Sequence, residues 1–137
     1  MNILVASDGR RCPEKMAHAR RIHPDETLYL SLGGYLNGWT GLKNRDDMVF
    51  KADGHKLFVS FGDKIPCHTL ARRAQAAGCD VLLWGDNPNA WIVDIDGVLF
   101  VSPGSIDHPC NSMPAAYARI QLEKGQAPKA ALCFEER

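Results

Sequence analysis

Apolar positions along the chain fall in strand-sized clusters, and the residues between them are mostly turn formers. Ile3, Leu4 and Val5 form an unbroken apolar run ending at Ser7-Asp8-Gly9, the pattern of a strand covered on both faces. Pro13 suits the first turn of a helix, and His23 before Pro24 must nearly close it. Residues 27–32, Thr-Leu-Tyr-Leu-Ser-Leu, alternate weakly and stop at Gly33-Gly34; a glycine- and asparagine-rich loop then runs to about residue 47. Met48 to Ala52 and His55 to Phe61 flank Asp53-Gly54, a dipeptide suited to a type I′ hairpin turn, and Leu57, Val59 and Phe61 share one face. The alanine-rich stretch from Cys67 to Ala77 predicts a helix stopped by Gly78. Val81 to Trp84 is a second buried run. Trp91, Val93 and Ile95 alternate up to a second hairpin turn at Asp96-Gly97, and Val98 to Val101 returns. Two closing strands, Ala115 to Leu122 and Lys129 to Phe134, are joined around Gly125. The order strand-helix-strand, loop, hairpin, helix-strand and four more strands predicts an α/β fold, a two-sheet β sandwich flanked by helices.

Composition narrows the partners. One domain spanning 1–137 is expected at this length, with enough chain for a core without disulfide or metal staples. Lys plus Arg and Asp plus Glu both number 16, so no net field draws in nucleic acid or an anionic membrane. No apolar run approaches the length of a membrane span, and the first residues read as a strand rather than a secretory signal. Five scattered cysteines without a C-x-x-C pair suit reduced thiols, so a cytoplasmic setting is expected.

The segments "NILVASDGR", "HKLFVSFGD", "CDVLLWGDN", "DGVLFVSPGS" and "AAYARIQL" occur in the order and near the spacing of a known family. The chain resembles the small calcineurin-like metallophosphoesterases of the bacterial and archaeal phosphodiesterase type, most strongly from about residue 54 to 122. Between residues 34 and 44 it is short, where the family usually has another helix and strand. The resemblance implies two divalent ions held by aspartate, asparagine and histidine in loops at strand ends, bridging a phosphate and generating hydroxide. Carried over position by position, Asp8 keeps the first aspartate, but the histidine two residues later is Arg10. Gly34 stands for the bridging aspartate, and Asn44 fits the asparagine. Phe61 and Asp63 replace one histidine pair, and Asp86 and Pro88 another. Phenylalanine, proline and glycine side chains offer no ligand atom, and Arg10 brings a permanent cation. The resemblance therefore implies a degenerate metal site in a module that binds rather than hydrolyses, as the retromer subunit of this fold serves mainly as a scaffold.

Within that frame Asp8, Asp63 and Asp86 converge, and their mutual repulsion must be offset. Arg10 can do so as an ion pair, and one hard cation on Asp8, Asn44, Asp63 and Asp86 is the alternative. Mg²⁺ or Ca²⁺ suits such oxygens better than Mn²⁺. Asp63 and Asp86 as solvated turn caps is the third possibility. No cofactor is expected on the first reading; on the second the domain is a divergent phosphodiesterase. His108, in "SPGSIDHPC", faces the former metal pocket in the resemblance, and Tyr35 and Trp39 in the shortened loop suggest an exposed aromatic patch. The partner is a protein or a small anionic ligand, and self-association into a homo-oligomer stays open.

Overall fold

The computed structural model describes residues 1–7, 9, 12–32, 37–41, 47–61, 65–85, 89–107 and 114–134. In chain order these form β1 (Asn2–Ala6), α1 (Pro13–Ile22), β2 (Leu28–Ser31), β3 (Thr40–Gly41), β4 (Met48–Ala52) and β5 (His55–Ser60). Then come α2 (Cys67–Ala76), β6 (Val81–Trp84), β7 (Ala90–Ile95), β8 (Val98–Pro103), β9 (Ala116–Gln121) and β10 (Lys129–Phe134). The strands make two five-stranded sheets, ordered β10-β9-β1-β2-β3 and β4-β5-β6-β8-β7.

Each sheet mixes parallel and antiparallel pairs. In the first, β1 runs parallel to β2 and antiparallel to β9. In the second, β5, β6 and β8 are parallel, while β4 and β7 return as hairpin partners. The central strands are buried on both faces, which is why their sequences read as continuous apolar runs. Ile3 and Val5 face inward, packing with Leu57, Val59, Leu83, Val101 and Ile120 in the core between the sheets. Leu4 and Ala6 face outward and are covered by Met16 and Ala19 of α1. On the other side Phe58, Leu82 and Phe100 lie under Leu70, Ala71 and Ala74 of α2. The result is four layers, helix, sheet, sheet and helix.

Both hairpin turns form as expected. Asp53-Gly54 and Asp96-Gly97 have positive φ at both positions, the requirement of a type I′ turn. Gly78, with φ +76°, ends the α2 segment. Cys79 and Cys133 carry free thiols, with burial pushing both up, so they behave as small apolar side chains. One strand was not foreseen. Thr40–Gly41 pairs in parallel with Leu30 and Ser31 at the sheet edge, and two residues are too few for any periodicity to show. Among the described residues no helix is long and apolar enough to cross a membrane.

Candidate functional site at the strand ends

The C-terminal ends of β1, β5, β6 and β8 lie together, and a set of short hydrogen bonds ties them across the two sheets. Ser7 donates its hydroxyl to the Gly85 carbonyl at 2.9 Å in a buried setting. The Gly85 N–H donates to the Ser60 carbonyl at 2.9 Å, and Ile106 N–H to the Ser7 carbonyl at 3.1 Å. Ala116 N–H reaches the Ser105 carbonyl at 3.1 Å, tying β9 to the same edge. Ser102 donates to the Asn89 carbonyl at 2.6 Å, and the Ser105 hydroxyl accepts from Asp107 N–H at 3.2 Å. The loops that leave these strands therefore start from one tightly joined rim.

That rim is built from buried serines, which the reading of apolar periodicity passed over. Ser7, Ser31, Ser60, Ser102 and Ser105 are all buried. A signal for four of them was present. Ser-x-Gly closes four strands, at Ser7-Asp8-Gly9, Ser31-Leu32-Gly33, Ser60-Phe61-Gly62 and Ser102-Pro103-Gly104. A serine is small enough for two sheets to approach and supplies a donor for a strand-end carbonyl that would otherwise be orphaned. Ser31 Oγ is the exception, buried with no hydrogen-bond partner.

Among the residues singled out by resemblance, Phe61 and Trp39 are described. Phe61 is 8% exposed and belongs to the inter-sheet core with Leu57 and Val59. Its ring lies over Gly85 so closely that a Cβ there would stand 2.3 Å from Phe61 Cε1. Gly85 is thus the residue that lets an aromatic ring occupy the strand end. Trp39 departs from expectation. It is 4% exposed, packed edge-on against Tyr29 with centroids 5.6 Å apart, inside the cluster that joins α1 to its sheet. The expected aromatic patch is not exposed at Trp39, because the ring packs with Tyr29 and with Met16 and Ala19 of α1 although its loop neighbours are polar. Asp8, Arg10, Gly34, Tyr35, Asn44, Asp63, Asp86, Pro88 and His108 lie outside the described residues, as does the expected ion pair of Arg10.

The sandwich has close counterparts among solved structures. An uncharacterized protein of Streptococcus pneumoniae TIGR4, described as a phosphoesterase by prediction, superposes with TM-score 0.75 at 18% identity, over 97% of this chain and 88% of that one. An archaeal phosphodiesterase superposes with TM-score 0.71 at 16% identity, over 97% of this chain and all of the other, 100%. Wild-type Vps29 of Entamoeba histolytica, solved with Zn²⁺, gives TM-score 0.69 at 14% identity, over 98% of this chain and 99% of that one. The fold is that of the calcineurin-like phosphoesterases. No protein-family model matches the chain, and no curated protein matches it in sequence.

Proposed function

We propose that this domain is a phosphoesterase-like binding or scaffold module that has given up two-metal hydrolysis, with a protein partner seated at the strand-end rim. The observation that carries the reading is Phe61. Where the resemblance has a metal-binding histidine, this chain has a phenyl ring packed into the core against Gly85. A phenyl ring has no donor atom for a cation, and returning it to imidazole would bury a polar group in an apolar cluster. Arg10, Gly34 and Pro88 also lack metal-ligating side chains at their positions in the resemblance. This donor set does not fit a binuclear centre, so no hydrolytic step through two metals is derived. A protein partner accords with the retromer subunit that the resemblance brought forward.

Elemental analysis of purified protein tests this reading, together with turnover of bis-p-nitrophenyl phosphate in Mn²⁺ or Ni²⁺. The expected result is no pair of tightly held transition ions and no turnover above background. Robust hydrolysis abolished by Asp8→Ala would overturn it.

The second reading keeps one hard cation on Asp8, Asn44, Asp63 and Asp86. Its support is the hydrogen-bonded rim, since Ser7, Ser60 and Gly85 immediately precede or follow the segments that carry three of these residues. Mg²⁺ or Ca²⁺ that raises the melting temperature in wild type, but not in Asp8→Ala, would favour it.

A further inference from the structure

On the outer face of the first sheet, away from the strand-end rim, α1 and the turn at residues 37–39 enclose a groove of about 530 Å³. Its described lining residues are Ala17, Arg20, Arg21, Pro24, Tyr29 and Asn37, none of them acidic. Arg20 is fixed from two sides. Its guanidinium stacks on the Tyr29 ring, with Cζ 4.5 Å from the centroid. Its Nη1 also lies 2.0 Å from where a Cβ of Gly38 would be, space left open by a glycine at φ +79°. Holding a long side chain this way costs conformational freedom. Yet neither Arg20 nor Arg21 makes an ion pair with an acidic side chain among the described residues.

Stacking uses the face of the guanidinium and Gly38 lies against Nη1, and a guanidinium edge pointed at a ligand matches two oxygens of a phosphate. Arg21, exposed in the same last turn of α1, supplies a second positive charge, and Asn37 a neutral amide. Two of the carbonyls around this helix end are already engaged. The His23 N–H already bonds to the Ala19 carbonyl at 3.1 Å, and the Tyr29 hydroxyl donates to the His23 carbonyl. Two guanidinium groups match the charge of a dianion better than that of a carboxylate or a sulfate ester. The volume falls in the range of small-molecule sites.

We propose that this groove binds a phosphomonoester of a small molecule in its dianionic form, through Arg20 and Arg21, independently of whatever the strand-end rim holds. The test is a titration of ¹⁵N-labelled protein with phenyl phosphate at pH 7.5, above the second phosphate pKa of about 6. Saturable shifts are expected at the amides of Ala17, Tyr29 and Gly38. Arg20→Gln and Arg21→Gln should each weaken binding by about tenfold or more, the range for hydrogen bonds to charged groups. Because Arg21 is exposed, its replacement tests the idea even where Arg20→Gln disturbs the fold. Benzoate and phenyl sulfate should bind at least several-fold more weakly. Shifts centred instead on Ser7, Gly85 and Ser105, affinity unchanged by Arg21→Gln, or equal binding of benzoate would each overturn the proposal.

Discussion

The two ends of the sandwich are fastened in different chemical languages. At the C-terminal ends of the parallel strands the sheets are joined by neutral groups, such as the serine hydroxyls and the backbone of Ser7, Ser60, Gly85 and Ser105. At the opposite end the fastening is ionic. His55, the first residue of β5 and 7% exposed, holds Asp80 Oδ2 at 2.6 Å through Nδ1 and the Glu123 carbonyl at 2.8 Å through Nε2. With an acceptor at each ring nitrogen, the imidazole carries both protons when charged, and it then links the second sheet to the turn after β9. The N-terminal ammonium adds a bond to the Leu122 carbonyl at 2.6 Å at this end. The contrast follows position. A rim that must launch loops gains from small side chains, whereas the closed end has room for a larger bridging group.

The sharpest way to break the rim is steric. Gly85→Ala places a methyl group against the Phe61 ring, and overpacking of this kind costs about 1–3 kcal/mol. Chemical denaturation should show that loss, and pairing the change with Phe61→Leu should recover part of it. A full recovery by Phe61→Leu would make the ring the sole obstacle; none would place the obstacle in the backbone.

At the closed end, His55→Ala removes two hydrogen bonds and leaves the Asp80 carboxylate without its imidazole partner, for an expected loss of about 1–3 kcal/mol by denaturation. The same residue makes this end pH-sensitive. The Asp80 carboxylate, and then the Glu123 carbonyl, hold His55 above its ordinary value of 6.5. A raised folded-state value means this contribution is fully present below 6.5 and fades as pH rises through the folded value. Melting temperatures of wild type and His55→Gln should therefore differ most in mild acid and converge in alkali. A constant gap across that range would sink the ionic account of this end.

The smallest expected effect lies at the rim. Ser7→Ala strips one donor from the Gly85 carbonyl, a loss of about 1 kcal/mol that should not vary between pH 6 and pH 9, because neither partner titrates. Pronounced pH dependence in this variant would erase the distinction between the two ends.

Much of the scaffold was legible because its rules are local. Two Asp-Gly pairs called for positive φ and took it, and unbroken apolar runs such as Val81 to Trp84 became central strands. The two-sheet layout followed from the order of strands and helices, and the superpositions support it at the level of fold. What escaped was long-range. The Ser7 hydroxyl and the Gly85 carbonyl belong to different sheets, and periodicity within either strand carries no trace of their meeting. His55 likewise read as a polar residue after a turn, since both of its partners lie far along the chain. Trp39 was misjudged for a related reason: its neighbours in sequence are polar, while the ring packs beside Tyr29. At the candidate site the sequence showed Phe61 as a side chain without a ligand atom, but its service as core required the glycine opposite.

The order of strands also sets a timetable for synthesis. The second sheet draws all its strands from one continuous stretch, Met48 to Pro103, and can assemble as soon as that stretch leaves the ribosome. The first sheet cannot. Its central strand β1 precedes the whole of that stretch in the chain, yet one of its neighbours, β9, follows it. Until residue 121 is available, the apolar run Ile3-Leu4-Val5 has an unpaired edge on that side. The nascent chain thus holds β1 in waiting until β9 arrives, and β10 then completes that sheet by pairing with β9.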